Sequence, residues 1–217
     1  INSSRKSIYR AIEQKDKKFI QTEAIVQTDA GADYIDINAG LFAEKEADYL
    51  SWLIDVVQEA TTLPLCIDSP NPEAIKGVLT KVEKTPMLNS ITLEKETFDS
   101  LLPLILDRSC KIIGLCQRDD KAAQRMTEKA EIARDLIKQL TEAGVPVEDI
   151  YIDPLVFPIA TNIDSGRSTL EAFSAIKNQF PKVHLICGLT NVSFGLPERK
   201  LVNNAFLIAS IIMGLDS

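Results

Sequence analysis

Short apolar runs alternate with longer stretches of helical periodicity along the whole chain. The apolar runs predict six β-strands, at residues 34–39, 63–69, 87–92, 111–116, 150–154 and 184–189. Apolar positions spaced three to four residues apart predict seven helical segments, at residues 6–31, 44–61, 72–82, 96–109, 122–144, 168–180 and 198–214. This alternation is typical of parallel strands joined by helices, so we predict an α/β protein.

Several predicted strands show little polar alternation, as in Ile112, Ile113, Gly114 and Leu115. Such runs are expected where helices cover both faces of a sheet, in a doubly wound sheet or in a (β/α)8 TIM barrel. A doubly wound sheet normally carries a glycine-rich phosphate loop, and neither G-x-G-x-x-G nor G-x-x-x-x-G-K-[ST] occurs in the chain. We therefore favour the TIM barrel.

The number of elements bears on domain organisation. A TIM barrel has eight strands and eight helices, whereas the pattern contains six complete strands and seven helical segments. Residues 1–2 resemble the tail of a first strand, and residues 214–217 resemble the turn into an eighth. We expect residues 1–217 to form a single TIM-barrel domain that lacks most of the first strand and the last strand–helix unit.

The charge balance restricts the class of partner. The formal net charge is -7, which disfavours a nucleic-acid backbone or an anionic membrane surface and favours a small molecule or a protein. No apolar run approaches the roughly 20 residues that span a bilayer, and residues 1–10 lack the apolar core of a signal peptide. We therefore expect a cytoplasmic protein.

The cysteines and the single histidine offer little chemistry. Four cysteines are far apart, without metal-site spacing, and three of them, Cys66, Cys116 and Cys187, lie in apolar runs as small hydrophobic residues would. His184 opens a predicted strand, away from the strand ends where barrel enzymes place their chemistry. A Ser-His-Asp triad and a metal site formed by this chain are both disfavoured.

Carboxylate and carboxamide residues end or follow all six predicted strands. They are Asp36, Asn38, Asp68, Asn89, Gln117, Asp153 and Asn191. At any single position such a residue could serve only as a turn residue or helix cap. The repeated choice of Asp and Asn favours a ligand rich in N–H and C=O groups, because a carboxylate accepts paired hydrogen bonds from an amino-pyrimidine edge and a carboxamide offers donor and acceptor. The edge of a pterin has this pattern.

Five ordered motifs resemble those of the pterin-binding family. They are DINAG at 36–40, CIDS at 66–69, LNS at 88–90, YIDPL at 151–155 and GLTNVSFGLP at 188–197. Within the family the chain is most similar to the methyltetrahydrofolate:corrinoid protein methyltransferases, which are related to the folate domain of cobalamin-dependent methionine synthase. The resemblance covers the whole chain. It implies a homodimeric TIM barrel that binds a reduced folate and receives a corrinoid (cobalamin) carried on a separate protein.

The resemblance also implies roles for individual residues. Asp68, Asn89 and Asp153 would hold the pterin ring, and Asn191 would lie beside the nitrogen that bears the methyl group. Catalysis would then rest on Asn191, Asp153 and Asp68, with no metal bound by the chain. Supporting roles would fall to Asp36 and Asn38 at the floor of the site, to Gln117 at the strand ends, and to Ser193 and Arg199 near the folate tail or the corrinoid.

Two alternatives stay open. A dihydropteroate synthase also binds pterin, but it needs a cationic site for the departing pyrophosphate, and the segment Thr190-Asn191-Val192-Ser193 has no arginine of that kind. A non-catalytic folate-binding subunit that docks a corrinoid protein would keep Asp68 and Asp153 and would tolerate loss of Asn191. The presence of Asn191 favours the methyltransferase over this second alternative.

Overall fold

The computed structural model describes residues 1–118 and 121–217. The chain divides into two compact units. Unit 1 comprises residues 1–90 and 103–111, and unit 2 comprises residues 91–102 and 112–217. In the part of the chain that the structure describes, no helix combines the length and apolar character needed to cross a bilayer.

Helices and strands alternate along the chain, as the apolar pattern predicts. The α-helices are α1 (Lys6–Glu13), α2 (Lys17–Asp29), α3 (Glu46–Gln58), α4 (Pro72–Val78), α5 (Lys95–Arg108), α6 (Met126–Glu142), α7 (Ser165–Gln179) and α8 (Arg199–Ile212). The strands are β1 (Ile35–Ile37), β2 (Leu65–Asp68), β3 (Met87–Ile91), β4 (Lys111–Leu115), β5 (Gln117–Arg118), β6 (Lys121–Ala122), β7 (Ile150–Asp153) and β8 (His184–Leu185). Short 3-10 helices occupy Gly40–Lys45, Leu79–Lys81, Val147–Asp149 and Leu189–Ser193.

Unit 1 contains three parallel strands in the order β1-β2-β3. Ile37 pairs with Ile67, and Ile67 pairs with Leu88, and all three side chains are fully buried. Burial of such side chains is the main favourable term in folding. The register also places Asp68 beside Asn89, so the apolar ladder fixes where these polar side chains lie.

Unit 2 pairs β7 with β4 on one side and with β8 on the other, both in parallel. Helix α6 buries a stripe of residues spaced three to four apart against the interior: Ile132, Ala133, Leu136, Ile137 and Leu140. His184 opens β8, where its ring stacks on Tyr151 at 4.6 Å and Nδ1 lies 3.4 Å from Asp216 Oδ2. The predicted placement of His184 at the start of a strand is therefore confirmed.

The single helix predicted over residues 6–31 is wrong. Helix α1 ends near Glu13, and Lys15 takes a left-handed conformation with φ of 52°. The Asp16 carboxylate then accepts a hydrogen bond from the Phe19 amide at 3.0 Å and starts α2 as its N-cap. Residues 13–18 are all polar, so the apolar spacing is interrupted at the break, and the prediction joined two helices across it.

Two further boundaries differ from the prediction. The strand predicted over residues 184–189 ends at Leu185, and the Leu189 amide donates to the Cys187 carbonyl at 2.8 Å around Gly188. With φ of -71° and ψ of 67°, Gly188 forms an inverse γ-turn, which ends an extended run. The helix predicted from residue 122 begins at Met126, because β5 and β6 form an antiparallel ribbon before it.

Candidate functional site

Unit 1 brings together four of the predicted site residues. Asp36 lies in the middle of β1 rather than at its end, and Asn38 follows two residues later on the same face of the strand. Asp68 ends β2 and is in register with Asn89 of β3. The parallel register therefore places the carboxylates and carboxamides of unit 1 on neighbouring strands.

Asn38 supports the backbone at Asp68. Its Nδ2 donates to the Asp68 carbonyl at 3.1 Å, and its Oδ1 accepts from Ser3 Oγ at 2.8 Å. Asn2 Nδ2 donates to Asp68 Oδ2 at 3.3 Å, so Asn2 contacts the predicted ligand-binding carboxylate directly. Sequence reasoning missed Asn2 and Ser3. In the structure, an isolated parallel bridge between Asn2 and Asn38 shows that residues 1–3 run alongside β1.

The carboxyl groups of Asp36 and Asp68 titrate abnormally. Burial and, after it, the charge of Asp36 raise the pKa of Asp68 to about 6, and a hydrogen bond from Asn38 partly opposes this rise. Burial also raises the pKa of Asp36, against hydrogen bonds from Cys66 and Asn89. A carboxyl group whose pKa is raised can bind a polar ring as an acceptor or, when protonated, as a donor.

A buried carboxylate lies behind this cluster. Glu46 at the start of α3 is 4% exposed, and its Oε1 accepts a hydrogen bond from Ser69 Oγ at 2.7 Å. The Ser69 amide donates to the Asn89 carbonyl at 3.0 Å, so Ser69 connects the ends of β2 and β3. The sequence signal was the CIDS motif itself, whose serine received no role in the prediction.

Asp153 is the equivalent carboxylate of unit 2. It ends β7, and the Leu155 amide donates to its Oδ1 at 2.7 Å. Burial raises the pKa of Asp153 to about 6, while the backbone amides of Leu155 and Gly188 and the charge of Lys129 oppose that rise. The group is therefore close to half protonated at about pH 6 and mostly ionised at neutral pH.

Asn191 lies exposed on the 3-10 helix Leu189–Ser193, next to Gly188. A Cβ atom added at Gly188 would lie 2.8 Å from Asn191 Nδ2, closer than such atoms approach in proteins. Val192 anchors this loop, because its side chain is buried against Val156 and Phe206. Because Gly188 has no side chain, it leaves space for the Asn191 amide.

Ser193 and Arg199 hold one another. Ser193 is fully buried, and its Oγ accepts from Arg199 Nε at 3.1 Å, while an Arg199 terminal nitrogen donates to the Thr190 carbonyl at 3.0 Å. These contacts connect the loop of Asn191 to the first turn of α8. Gln117 is the first residue of the β5–β6 ribbon and is half-buried. Any contact of Ser193, Arg199 or Gln117 with a ligand stays a prediction.

The residue of unit 2 that sequence reasoning missed altogether is Lys129 of α6. Its side chain is fully buried, and Nζ donates to the Leu155 carbonyl and to Thr169 Oγ1. The signal was present, because position 129 precedes Ile132 and Ala133 by three and four residues and so lies on the buried stripe of α6. A lysine at such a position needs a polar partner inside the protein.

One large groove of unit 2 does not contain the predicted site. It has a volume of about 820 Å³ and lies between the β5–β6 ribbon and α6. Among its charged lining residues, Arg118 and Arg134 both pair with Asp135 at the surface. We give the groove no role, because solvated ion pairs of this kind are typical of an exposed helix face.

Comparison with known proteins identifies the class. The family model of pterin-binding enzymes matches residues 1–217, so the chain belongs to the pterin-binding enzyme family, and the predicted resemblance is confirmed. A methylcorrinoid:tetrahydrofolate methyltransferase from Eubacterium limosum is 36% identical over 219 residues, covering 100% of this chain and 81% of that protein. A methionine synthase from Mycobacterium tuberculosis is 29% identical, covering 88% of this chain and 17% of that protein.

Solved structures show the fold. A dihydropteroate synthase from Xanthomonas albilineans matches with a TM-score of 0.71 at 17% identity, over 99% of this chain and 82% of that one. Another, from Thermus thermophilus, matches with a TM-score of 0.70 at 16% identity, over 90% and 80% of the two chains. Dihydropteroate synthases are TIM barrels, so the predicted fold class is confirmed; identities this low carry nothing about the reaction.

Proposed function

We propose that this enzyme transfers a methyl group between N5 of methyltetrahydrofolate and the cobalt of a corrinoid carried by a partner protein. The observation that carries the proposal is the full-length identity of 36% to a methylcorrinoid:tetrahydrofolate methyltransferase. The polar residues at the strand ends support it, because they have the donors and acceptors that a pterin ring requires.

In the proposed complex, Asp68, Asn89 and Asp153 hold the pterin ring. A carboxylate can accept two hydrogen bonds from the amino-pyrimidine edge, and the carboxamide of Asn89 can meet a ring carbonyl and nitrogen. The register of Asp68 with Asn89 supports a shared role for these two. Asn2 contacts the Asp68 carboxylate and Asn38 contacts the Asp68 carbonyl, so these two residues fix its orientation, and Asp36 forms the floor of the site with them.

The chemical difficulty is the leaving group. When the N5–CH3 bond breaks, its electron pair stays on N5, and the resulting anion is a poor leaving group unless a proton reaches that nitrogen. We assign to Asn191 the hydrogen bond that stabilises the protonated N5. The Co(I) corrinoid, a substrate in this reaction, supplies the electron pair of the new Co–CH3 bond, so one proton is consumed and methyl-Co(III) and tetrahydrofolate are formed.

The reverse reaction uses the same groups, since both directions pass through one transition state. Methyl-Co(III) then gives its methyl to N5 of tetrahydrofolate, which loses a proton, and Co(I) is released. The name of the Eubacterium limosum relative, methylcorrinoid:tetrahydrofolate methyltransferase, describes this direction. The protein contributes orientation and a water-poor environment in either case.

The proposed assembly follows the resemblance. We propose that residues 1–217 act as one barrel domain, that the enzyme is a cytoplasmic homodimer, and that it meets its corrinoid protein there. The four free cysteines support this compartment, because they suit a reducing environment. Sedimentation of the purified protein tests the dimer, and a mass corresponding to 24.0 kDa alone would contradict it.

The proposal is tested by mixing the protein anaerobically with methyltetrahydrofolate and Co(I) cobalamin. Loss of the Co(I) absorbance, together with growth of methyl-Co(III), measures the transfer directly. We expect transfer that depends on the protein and that falls by about 10²-fold or more in Asn191→Ala, because that variant loses the hydrogen bond to N5 in the transition state. Folate affinity should change much less.

Each alternative function predicts a different experimental result. Folate binding without transfer, to cobalamin or to a corrinoid protein, would indicate a non-catalytic binding subunit. Formation of dihydropteroate and pyrophosphate from 4-aminobenzoate and a dihydropterin pyrophosphate would indicate a dihydropteroate synthase. The contacts of Arg199 with Ser193 and Thr190 disfavour the latter, because they engage the guanidinium that a departing pyrophosphate would need.

A further inference from the structure

Lys129 has the largest of the fully buried side chains in the described part of the chain. A lysine is almost never fully buried unless its ammonium is paired, because removing the charge from water costs several kcal/mol. Nothing in the proposed methyl transfer uses this residue directly. Its contacts therefore indicate what the buried charge stabilises.

The Lys129 ammonium closes a triangle of polar groups. Its Nζ donates to the Leu155 carbonyl and to Thr169 Oγ1, the latter at 2.9 Å. The Thr169 hydroxyl in turn donates to the same Leu155 carbonyl at 3.3 Å. The Phe157 ring lies 5.7 Å from Nζ and covers the group. Helices α6 and α7 thus both hold one backbone oxygen in the segment after β7.

That oxygen belongs to a residue with an unusual backbone. Leu155 has φ of 59°, a left-handed conformation that costs a non-glycine residue about 1 kcal/mol or more. In this conformation its amide donates to Asp153 Oδ1 at 2.7 Å. The carbonyl of Leu155 is therefore held by Lys129, and its amide holds the carboxylate at the end of β7.

We propose that Lys129 is a positioning residue of the pterin site, which acts through Leu155 to fix the Asp153 carboxylate in its binding orientation. This proposal rests on the proposed pterin-binding role of Asp153. Lys129 need not touch the folate, because its effect passes through one residue, Leu155. Its positive charge also favours the ionised carboxylate.

The electrostatics agree with the geometry. Burial lowers the pKa of Lys129 to about 8, and the charges of Cys116 and Asp153 act in the opposite direction. Burial raises the pKa of the Cys116 thiol well above its ordinary range, so that group is neutral at pH 7. Asp153 is then the anion that faces Lys129 at neutral pH, and each of the two favours the charged form of the other.

The test measures the dissociation constant of tetrahydrofolate between pH 5 and pH 8 for four variants. Lys129→Met removes the charge at similar length, Lys129→Arg keeps it, and Thr169→Val removes the bridging hydroxyl. Lys138→Met is the matched control, because Lys138 is an exposed lysine of the same helix with 68% of its side chain accessible. Urea unfolding of each variant establishes that it is folded.

We expect Lys129→Met to weaken binding at pH 7 by about 10- to 100-fold, as small displacements of a binding group do. The acid limb of its binding profile is the pH range over which binding weakens as Asp153 becomes protonated. This limb should move to higher pH, because loss of the positive charge raises the pKa of Asp153 further. Lys129→Arg should retain the wild-type acid limb. Thr169→Val should weaken binding several-fold with the limb unmoved, and Lys138→Met should change neither quantity.

A folded Lys129→Met with wild-type affinity and an unmoved acid limb would overturn the proposal, since a merely structural role predicts that result. If Lys129→Met does not fold, Thr169→Val decides, and unchanged affinity in that variant overturns the proposal. Wild-type protein that binds no tetrahydrofolate would refute the proposed function itself, and the role of Lys129 with it. Wild-type binding with equal binding by the folded variants refutes the role of Lys129 alone.

Discussion

At the scale of single residues, the carboxyl groups of Asp68 and Asp153 have the same abnormality in two different units. Burial raises the pKa of each to about 6. In both cases an amide N–H contacts the carboxylate, from Asn2 in one unit and from Leu155 in the other. A buried, ionised carboxylate lowers the stability of the folded protein. Such carboxylates are expected at ligand-binding sites, where the charge is kept for binding.

The pH dependence of stability follows from the raised pKa of Asp153. The unfolded value is about 3.9, so this group favours the folded state below about pH 4, and that contribution is lost as the pH rises to about 6. Asp153→Asn cannot ionise. At pH 8 we expect it to be more stable than wild type by about 1–3 kcal/mol, measured by urea unfolding. Pterin binding should weaken.

The control for this experiment is Asp33→Asn, which removes a carboxylate from an exposed position. The two carboxamide variants should differ at pH 8 and converge toward pH 4, where Asp153 is protonated in wild type. An Asp153→Asn variant that is less stable than wild type at pH 8 would show that the ionised carboxylate stabilises the fold.

A second residue-scale prediction concerns the space beside Asn191. Gly188 has φ of -71°, which alanine adopts freely, so Gly188→Ala should fold. Its new methyl group would lie 2.8 Å from Asn191 Nδ2 and displace the amide. We expect kcat for methyl transfer to fall by about 10-fold or more, with a smaller change in folate affinity. The Co(I) assay and a binding titration measure the two effects.

Gly77→Ala in α4 is the matched control, because a Cβ atom there meets nothing within 4 Å. That exchange should leave kcat unchanged and add up to about 1 kcal/mol of stability through helix propensity. If Gly188→Ala transfers methyl groups at the wild-type rate, the position of the Asn191 amide does not matter for the reaction.

At the scale of elements, the boundary between α1 and α2 depends on one side chain. Asp16 accepts from the Phe19 amide at 3.0 Å and satisfies a donor that the first turn of α2 leaves free. We expect Asp16→Ala to lower the free energy of unfolding by about 1 kcal/mol. Asp29→Ala is the control at the other end of the helix, where the free backbone groups are carbonyls that a carboxylate cannot cap. Equal urea midpoints for the two variants would contradict the assignment.

The backbone that follows β7 and β8 is held in place by side chains from neighbouring helices. Both strands are short, and each is followed by backbone that side chains hold in place, Leu155 by Lys129 and the Asn191 loop by Arg199. A predicted ligand-binding residue therefore lies beside each of these supported segments, Asp153 at the end of β7 and Asn191 after β8. This arrangement suits binding, because a group held in place loses less freedom when the ligand arrives.

At the scale of the whole molecule, the proposed ligand should stabilise the native state. A ligand that binds only the folded protein adds about 2.7 kcal/mol when its concentration is about 100 times the dissociation constant. Tetrahydrofolate at that concentration should therefore raise the midpoint of thermal unfolding. Asp153→Asn, which starts from higher stability at pH 8, should gain much less at the same concentration. A midpoint that tetrahydrofolate leaves unchanged in wild type would argue against pterin binding.

Several features of this protein were determined by local sequence. Apolar runs and helical periodicity located the strands and most helices, because burial on both faces demands continuous apolar residues. The carboxylates and carboxamides that follow those runs, together with the five motifs, indicated a pterin site and the family that comparison confirmed. The roles of Asp68, Asn89, Asp153 and Asn191 were predicted from the same motifs and stay predictions.

Only the tertiary structure decided how these groups are supported. Lys129 lies 26 residues from Leu155 and 40 from Thr169, so no local pattern could reveal that its ammonium holds the backbone beside Asp153. The contact of Asn2 with Asp68 likewise joins residues 66 apart. Strand and helix patterns depend on neighbours in the chain, so the sequence determined them. Hydrogen bonds and pKa shifts depend on which groups meet after folding, so only the tertiary structure could determine them.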